Sequence, residues 1–235
     1  VFGQEGSLVR LEWGGEGVAA LGGLCAVLVV VDVLSFSTSV DIAVGRGASV
    51  RPVRWADREQ AASYPSWSLR PSSLVDLPRG TELDLASPNG ATLSALAAGT
   101  GSHVLVGCLR NAGAVARAAR TLAAGGPIGV IAAGERWGVD VNSPGTAYLG
   151  PLRPAVEDQL GAGAVVAGLL GYGSASVEAA LAADLYSRSS VVDVLHGCVS
   201  GRELITAGHA GDVELAAAVD VSAAVPRLVD GLLRS

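Results

Sequence analysis

Several segments of the chain place polar residues where an alternating strand–helix protein binds its ligands, beyond the carboxyl ends of strands. The first follows the most apolar run and reads Asp32-Val33-Leu34-Ser35-Phe36-Ser37-Thr38-Ser39. A carboxylate backed by hydroxyls near a helix start suits a hard cation and an anionic oxygen. The plainer alternative is that Asp32 caps the next helix while Ser37, Thr38 and Ser39 satisfy its first amides. The second is Cys108-Leu109-Arg110-Asn111, with Arg110 at a strand tip and Asn111 placed to cap a helix. In the third, Ala133-Gly134-Glu135-Arg136-Trp137-Gly138, Arg136 could clamp an anion with two guanidinium N–H groups. Each arginine is equally well explained as a surface residue, Arg136 within a solvated Glu-Arg loop.

Between them lies Ser87-Pro88-Asn89-Gly90-Ala91-Thr92. Gly90 can take a positive φ and leave amides facing one point, an anion-binding nest, although Asn-Gly is also a common turn. Glu157-Asp158 opens an apolar late helix, where the helix dipole alone favours acids. Adjacent helical side chains diverge by about 100°, so only one of the two is expected to face a site.

The missing residue types narrow the chemistry. All 16 basic residues are arginine. Schiff-base chemistry, pyridoxal-phosphate enzymes and Walker-type triphosphatases, each built on a lysine amine, are excluded. Leu34 stands where a haloacid-dehalogenase phosphatase needs its second aspartate, and no cysteine has an arginine six residues on. No Gly-x-Ser-x-Gly or Arg-His-Gly occurs, and His103, His196 and His209 lack metal-ligand spacing. Oxygen-ligand metal chemistry with water as nucleophile remains.

The elements that must position these groups follow from composition and periodicity. The chain has 235 residues, 50% of them hydrophobic, with 32 glycines and a net charge of −6. That is enough for one core, and no linker divides the chain, so a single domain over residues 1–235 is expected. Aromatics at 4% and the acidic balance argue against a nucleic-acid partner. The longest apolar stretch, 19–31, is too short for a membrane span, and a cytoplasmic location is expected. Cys25, Cys108 and Cys198, without C-x-x-C spacing, read as buried reduced thiols.

Residues 8–21 read as a hairpin turning at Gly14-Gly15, and 25–34 as a strand buried on both faces. A helix over 37–44, strands over 49–53 and 82–86, and a loop-rich stretch over 65–78 follow. A helix from the Asn-Gly turn to Gly99 leads to a strand at 103–107, a helix at 112–124 and a strand at 128–133. A long loop spans 134–153. Helices dominate from 155 to 219, and 226–233 form a closing hairpin. This alternation predicts an α/β fold, three layers α/β/α around a largely parallel or mixed sheet.

The ordered set of pieces resembles the 2-phosphosulfolactate phosphatase family over about residues 29–231. They are a buried strand ending Asp-Val-Leu, an Asn-Gly turn into a helix, Arg-Asn-Ala, an Ala-Gly loop, Glu-Asp before Gly-Ala-Gly, Gly-Arg-Glu-Leu, Gly-Asp-Val and Val-Pro. The resemblance implies an α/β/α layered fold and Mg²⁺-dependent hydrolysis of (2R)-2-phospho-3-sulfolactate to sulfolactate and phosphate, a step toward coenzyme M. It implies that Asp32 and Glu157 or Asp158 hold Mg²⁺ and act in catalysis, with Asp212 at another recurrent polar position. Ser35, Ser37, Thr38, Asn89, Gly90, Arg110, Asn111, Gly134 and Arg136 are the expected substrate contacts. The partner is then a small anionic phosphomonoester, and the small-residue helices could also pack across a homodimer.

Two departures bear on the substrate. The family typically has arginine directly after Asp-Val-Leu, where this chain has Ser35; losing that contact costs on the order of a few kcal/mol of anion binding. The segment before Asn89 is short, and Asn142-Ser143-Pro144 appears instead after Arg136. A relative that binds a small anion without turning it over is the alternative that Ser35 favours.

Overall fold

The computed structural model describes residues 2–138 and 150–235. The chain opens with β1 (Val9–Trp13), α1 (Gly14–Leu21), β2 (Val27–Val31), α2 (Phe36–Gly45) and β3 (Ser49–Arg54). One 3-10 turn, Trp55–Gln60, follows β3 and another, Pro71–Leu74, lies in the proline-rich stretch before β4 (Glu82–Ser87), α3 (Gly90–Ala98), β5 (His103–Gly107), α4 (Ala112–Ala123) and β6 (Ile128–Ala132). A two-stranded ribbon, β7 (Glu135–Arg136) and β8 (Leu152–Arg153), precedes α5 (Val156–Leu169), α6 (Val177–Arg188), α7 (Val191–Gly197), α8 (Val199–Thr206) and α9 (Ala210–Ala217). The closing hairpin is β9 (Arg227–Val229) and β10 (Leu232–Arg234). Asn142-Ser143-Pro144 lies outside the described residues.

The hairpin expected over residues 8–21 is instead β1 followed by α1. Gly14, at φ +60°, launches a helix rather than a return strand. The buried positions Gly14, Gly17, Val18 and Leu21 follow helical spacing, while Gly17 passes so close to Glu12 that a Cβ would lie 2.8 Å from its Cβ.

The sheet runs β1-β6-β2-β5-β9-β10-β3-β4. Four strands are parallel from β1 to β5, the C-terminal hairpin pairs antiparallel on both sides, and β3 and β4 are parallel again. Alternate residues of β2 face opposite layers, as the pleat requires. Val27, Val29 and Val31 pack under α4 and α5, with Val115, Ala116, Leu160 and Val165. Leu28 and Val30 pack under α1 and α3, with Val18, Leu21, Leu93 and Ala97. A further core joins α2 to β3 and β4 through Phe36, Val40, Val50, Leu83 and Leu85. The three layers are those expected, with a mixed sheet between them.

The small residues of α5 close-pack within the chain. A Cβ on Gly161 would lie 2.5 Å from Val33 Cγ2, and one on Gly163 would lie 2.2 Å from the Ala182 carbonyl of α6. They therefore supply no free face for a second copy. No helix among the described residues is long and apolar enough to cross a membrane.

Candidate active site

The β2 exit is fastened by its own hydroxyls. The Ser37 amide donates to the Asp32 carbonyl at 2.7 Å, and the Asp32 amide donates to Ser37 Oγ at 2.9 Å. Thr38 Oγ1 donates to the Val33 carbonyl at 2.7 Å. Ser37 and Thr38 are wholly buried, so these expected substrate contacts close a turn instead. Ser35 remains half-buried at the start of α2.

The turn aims the Asp32 carboxylate inward. Its Oδ2 accepts the Gly90 amide at 2.6 Å and the Ser87 hydroxyl at 3.4 Å, and the Phe36 amide also bonds it. The antiparallel pairings reverse β4 relative to β2. The helix that Gly90 opens, α3, packs back over β2 and β5, with Leu93 and Ala97 against Leu28, Val30 and Val104, which keeps the β4 exit beside the β2 exit. Gly90 is not at positive φ. It is glycine for space, because a Cβ would sit 2.7 Å from Asp32 Oδ2 and 2.4 Å from Phe36 Cδ1. Its amide thus serves Asp32 rather than an open anion nest.

Glu157 and Asp158 both turn inward, contrary to the expectation that only one would; each is 3% exposed. They occupy the first turn of α5 where it abuts two strand exits, so both directions are interior. Asp158 Oδ1 accepts the Val33 amide at 2.7 Å and Oδ2 the Gly134 amide at 2.8 Å, bracing the ends of β2 and β6. Glu157 acts electrostatically on Asp32, Glu135 and Asp158. It also faces Cys198, whose thiol is pushed to about 11 by burial first and by that carboxylate. All three cysteines are buried and free.

Glu135 completes the cluster and was not singled out from sequence. It hydrogen-bonds Asn89, and its carboxyl is raised to about 7 by burial, then by Asp32. The signal was present: it follows a glycine beyond β6, the parallel neighbour of β2. Pairing it with Arg136 as a solvated loop hid it. Arg136 is half-buried on β7 beside it.

The remaining candidates lie in other bonds. Arg110 Nε donates to Asp41 Oδ2 at 2.9 Å and Nη1 to the Leu215 carbonyl at 2.8 Å. Asn111 is wholly buried, accepting the Cys108 amide and donating to the Ala224 carbonyl. Asp212 accepts the Ser72 amide at 2.7 Å. Arg110, Asn111 and Asp212 therefore hold α2, the β5 exit and α9 in place.

Among the described residues, no group of three His, Cys, Asp or Glu side chains is disposed to hold a metal ion by itself. The cluster's charge has a measurable consequence in metal-free protein. Burial raises Asp32 to about 6 and Glu135 to about 7, so the folded state keeps protons that the unfolded chain, with carboxyls near about 4, has lost. These groups favour folding most below the unfolded values, and that contribution disappears as pH rises through about 6 to 7. Each titrating carboxyl gives a slope of up to about 1.4 kcal/mol per pH unit, and 1 kcal/mol moves Tm by about 2–4 °C at this chain length. In EDTA, Tm is expected to fall by several degrees from about pH 5 to 8, and Glu135→Gln to flatten the fall. A flat or rising wild-type Tm over that interval contradicts the prediction.

Comparison with known proteins gives a concordant picture. Residues 70–231 match the family model described as 2-phosphosulpholactate phosphatase. This span includes Asn89, Glu135, Glu157 and Asp158, while Asp32 and Ser35 precede it. A curated protein from Methanothermobacter thermautotrophicus, named 2-phosphosulfolactate phosphatase, is 31% identical over 225 residues, which cover 89% of this chain and 88% of its own length.

Proposed function

The chain belongs to the 2-phosphosulfolactate phosphatase family, and from that premise we propose that it hydrolyses a small, doubly anionic phosphomonoester. The default substrate is (2R)-2-phospho-3-sulfolactate, cleaved to sulfolactate and phosphate. The observation that carries the reading is the gathering of buried Asp32, Glu157 and Asp158 with half-buried Glu135 at the exits of β2 and β6, with Asn89-Gly90 against it.

The cluster fits Mg²⁺ in its donor chemistry. Glu157 acts on Asp32, Glu135 and Asp158, and Asp32 acts on Glu135 and Asp158. Mg²⁺ usually takes only one or two protein carboxylates and completes its shell with water and phosphate oxygens. Asp32 and Glu157 would hold it. Asp158, with an amide on each oxygen, is a positioning residue rather than a ligand. When bound, the cation neutralises phosphoryl oxygens and lowers the pKa of a bound water.

The chain's own groups do the rest. Gly90 and Phe36 fix the Asp32 carboxylate through their amides. Asn89 orients Glu135, which takes one proton from the attacking water and returns it to the leaving alkoxide. Water's other proton stays with the phosphate. Arg136 follows Glu135 on β7 and so projects from the other face of the ribbon, which leaves it out of this step.

The test is phosphate release from a panel of 2-phospho-hydroxyacids with and without Mg²⁺. Release that requires Mg²⁺ and favours the sulfonate or carboxylate esters is expected. Thermal stabilisation by these compounds with no phosphate released would overturn the enzymatic reading and leave an anion-binding protein.

A further inference from the structure

The ribbon beside the carboxylates carries a cation with no role so far. Glu135 pairs directly with Arg153 across β7 and β8, and Arg136 with Leu152. Directly paired residues of antiparallel strands project from the same face, so the face that carries Glu135 also carries Arg153. Trp137, two residues beyond Glu135, lies on that face by strand alternation. The Arg153 guanidinium stands over its ring, with Cζ 5.7 Å from the centroid.

Three features set this pair apart from an ordinary surface contact. Trp137 is 59% exposed although it is among the largest apolar groups in the chain, so packing alone does not explain its position. Arg153 is half-buried, and stacking restricts the orientation of its planar fork, lowering the entropy lost on binding a carboxylate or sulfonate. Its backbone is also seated on the site. A Cβ on Gly134, at φ +66°, would lie 2.9 Å from the Arg153 carbonyl, and the Gly134 amide is held by Asp158.

Charge arrangement assigns the contact to one part of the substrate. Arg136 projects from the opposite face of the ribbon with Leu152, while Arg110 is engaged by Asp41 and Leu215. The carboxylate cluster repels an unscreened anion, so a second acidic group on the ester is best held outside it, on the ribbon. We propose that Arg153, oriented by Trp137, binds the acidic group that the phosphoester carries besides its phosphate and so sets selectivity for phosphorylated organic acids. This rests on the phosphatase reading above.

The experiment compares the unaltered protein with Arg153→Ala on a 2-phospho-hydroxyacid and on p-nitrophenyl phosphate, which has no second anionic group. One charge-assisted bidentate contact corresponds to roughly 10–100-fold in affinity. The ratio of kcat/KM for the two substrates is expected to fall by about that factor in the variant, through KM more than kcat. Arg153→Lys should restore part of it, and Trp137→Ala should give a smaller loss in the same direction. Sulfolactate, which lacks the phosphate, should raise the Tm of the unaltered protein and leave that of Arg153→Ala unmoved. A ratio within about twofold of the unaltered protein's overturns the proposal, as does an undiminished Tm shift. If the unaltered protein releases phosphate from neither compound, the phosphatase reading falls instead; the sulfolactate shift still decides whether Arg153 binds the acid.

Discussion

Asp32→Asn is expected to abolish turnover while leaving the chain folded. The carboxamide has almost the shape of the carboxylate and keeps an acceptor for the Gly90 amide that Oδ2 now holds at 2.6 Å. Burial already pushes the Asp32 carboxyl up to about 6. A neutral group is therefore tolerated there, and in EDTA near pH 8 the variant's Tm should lie within a few degrees of wild type. Its activity should not survive. A carboxamide oxygen is a weak ligand without net charge, and the charge stabilisation lost in the transition state is several kcal/mol, about a thousand-fold or more in kcat. Isothermal titration should show weakened Mg²⁺ binding alongside. A rate within tenfold of wild type would remove Asp32 from the mechanism.

Gly90→Ala is the complementary test, because it keeps every proposed functional side chain chemically intact and displaces one of them. The added methyl would lie 2.4 Å from Phe36 Cδ1, 2.7 Å from Asp32 Oδ2 and 2.8 Å from Asp32 Cβ. Phe36 is wholly buried and cannot swing aside. Forcing a methyl into such a contact costs about 1–3 kcal/mol, which at this size lowers Tm by roughly 2–12 °C. Misplacing a catalytic group by about 1 Å costs on the order of a hundred-fold in rate. The expected result is a folded protein with kcat reduced about a hundred-fold or more. Full activity would show that Asp32 need not sit where Gly90 holds it.

Residues whose surroundings are local in sequence were the legible ones. The valine run of β2 announces a strand covered on both faces, and Asp32 announces its polar exit. Asn89, Glu157 and Asp158 sit at helix starts, where sequence alone marks them. Partners far along the chain were not visible. Arg110 stood as a free cation because Asp41, its partner, is 69 residues away. Gly90 was assigned a backbone role because nothing local shows Asp32, 58 residues earlier, against its Cα. Glu135 needed the knowledge that β6 lies beside β2. The first hairpin failed for another reason: two consecutive glycines signal a turn, yet positive φ at one of them also starts a helix.

The position of the C-terminal hairpin bears on how such a chain can be made. β9 and β10 are last in chain order, yet they lie at the middle of the sheet, between β5 and β3. On a ribosome, the β1-β6-β2-β5 block and the β3-β4 pair have no strand to join them until residue 234 has cleared the exit tunnel. Asp32 belongs to the first block and Gly90 follows the second, so the two stay unbridged by any strand until that hairpin has emerged. A chain halted before the hairpin would carry both halves of the site with no strand to join them.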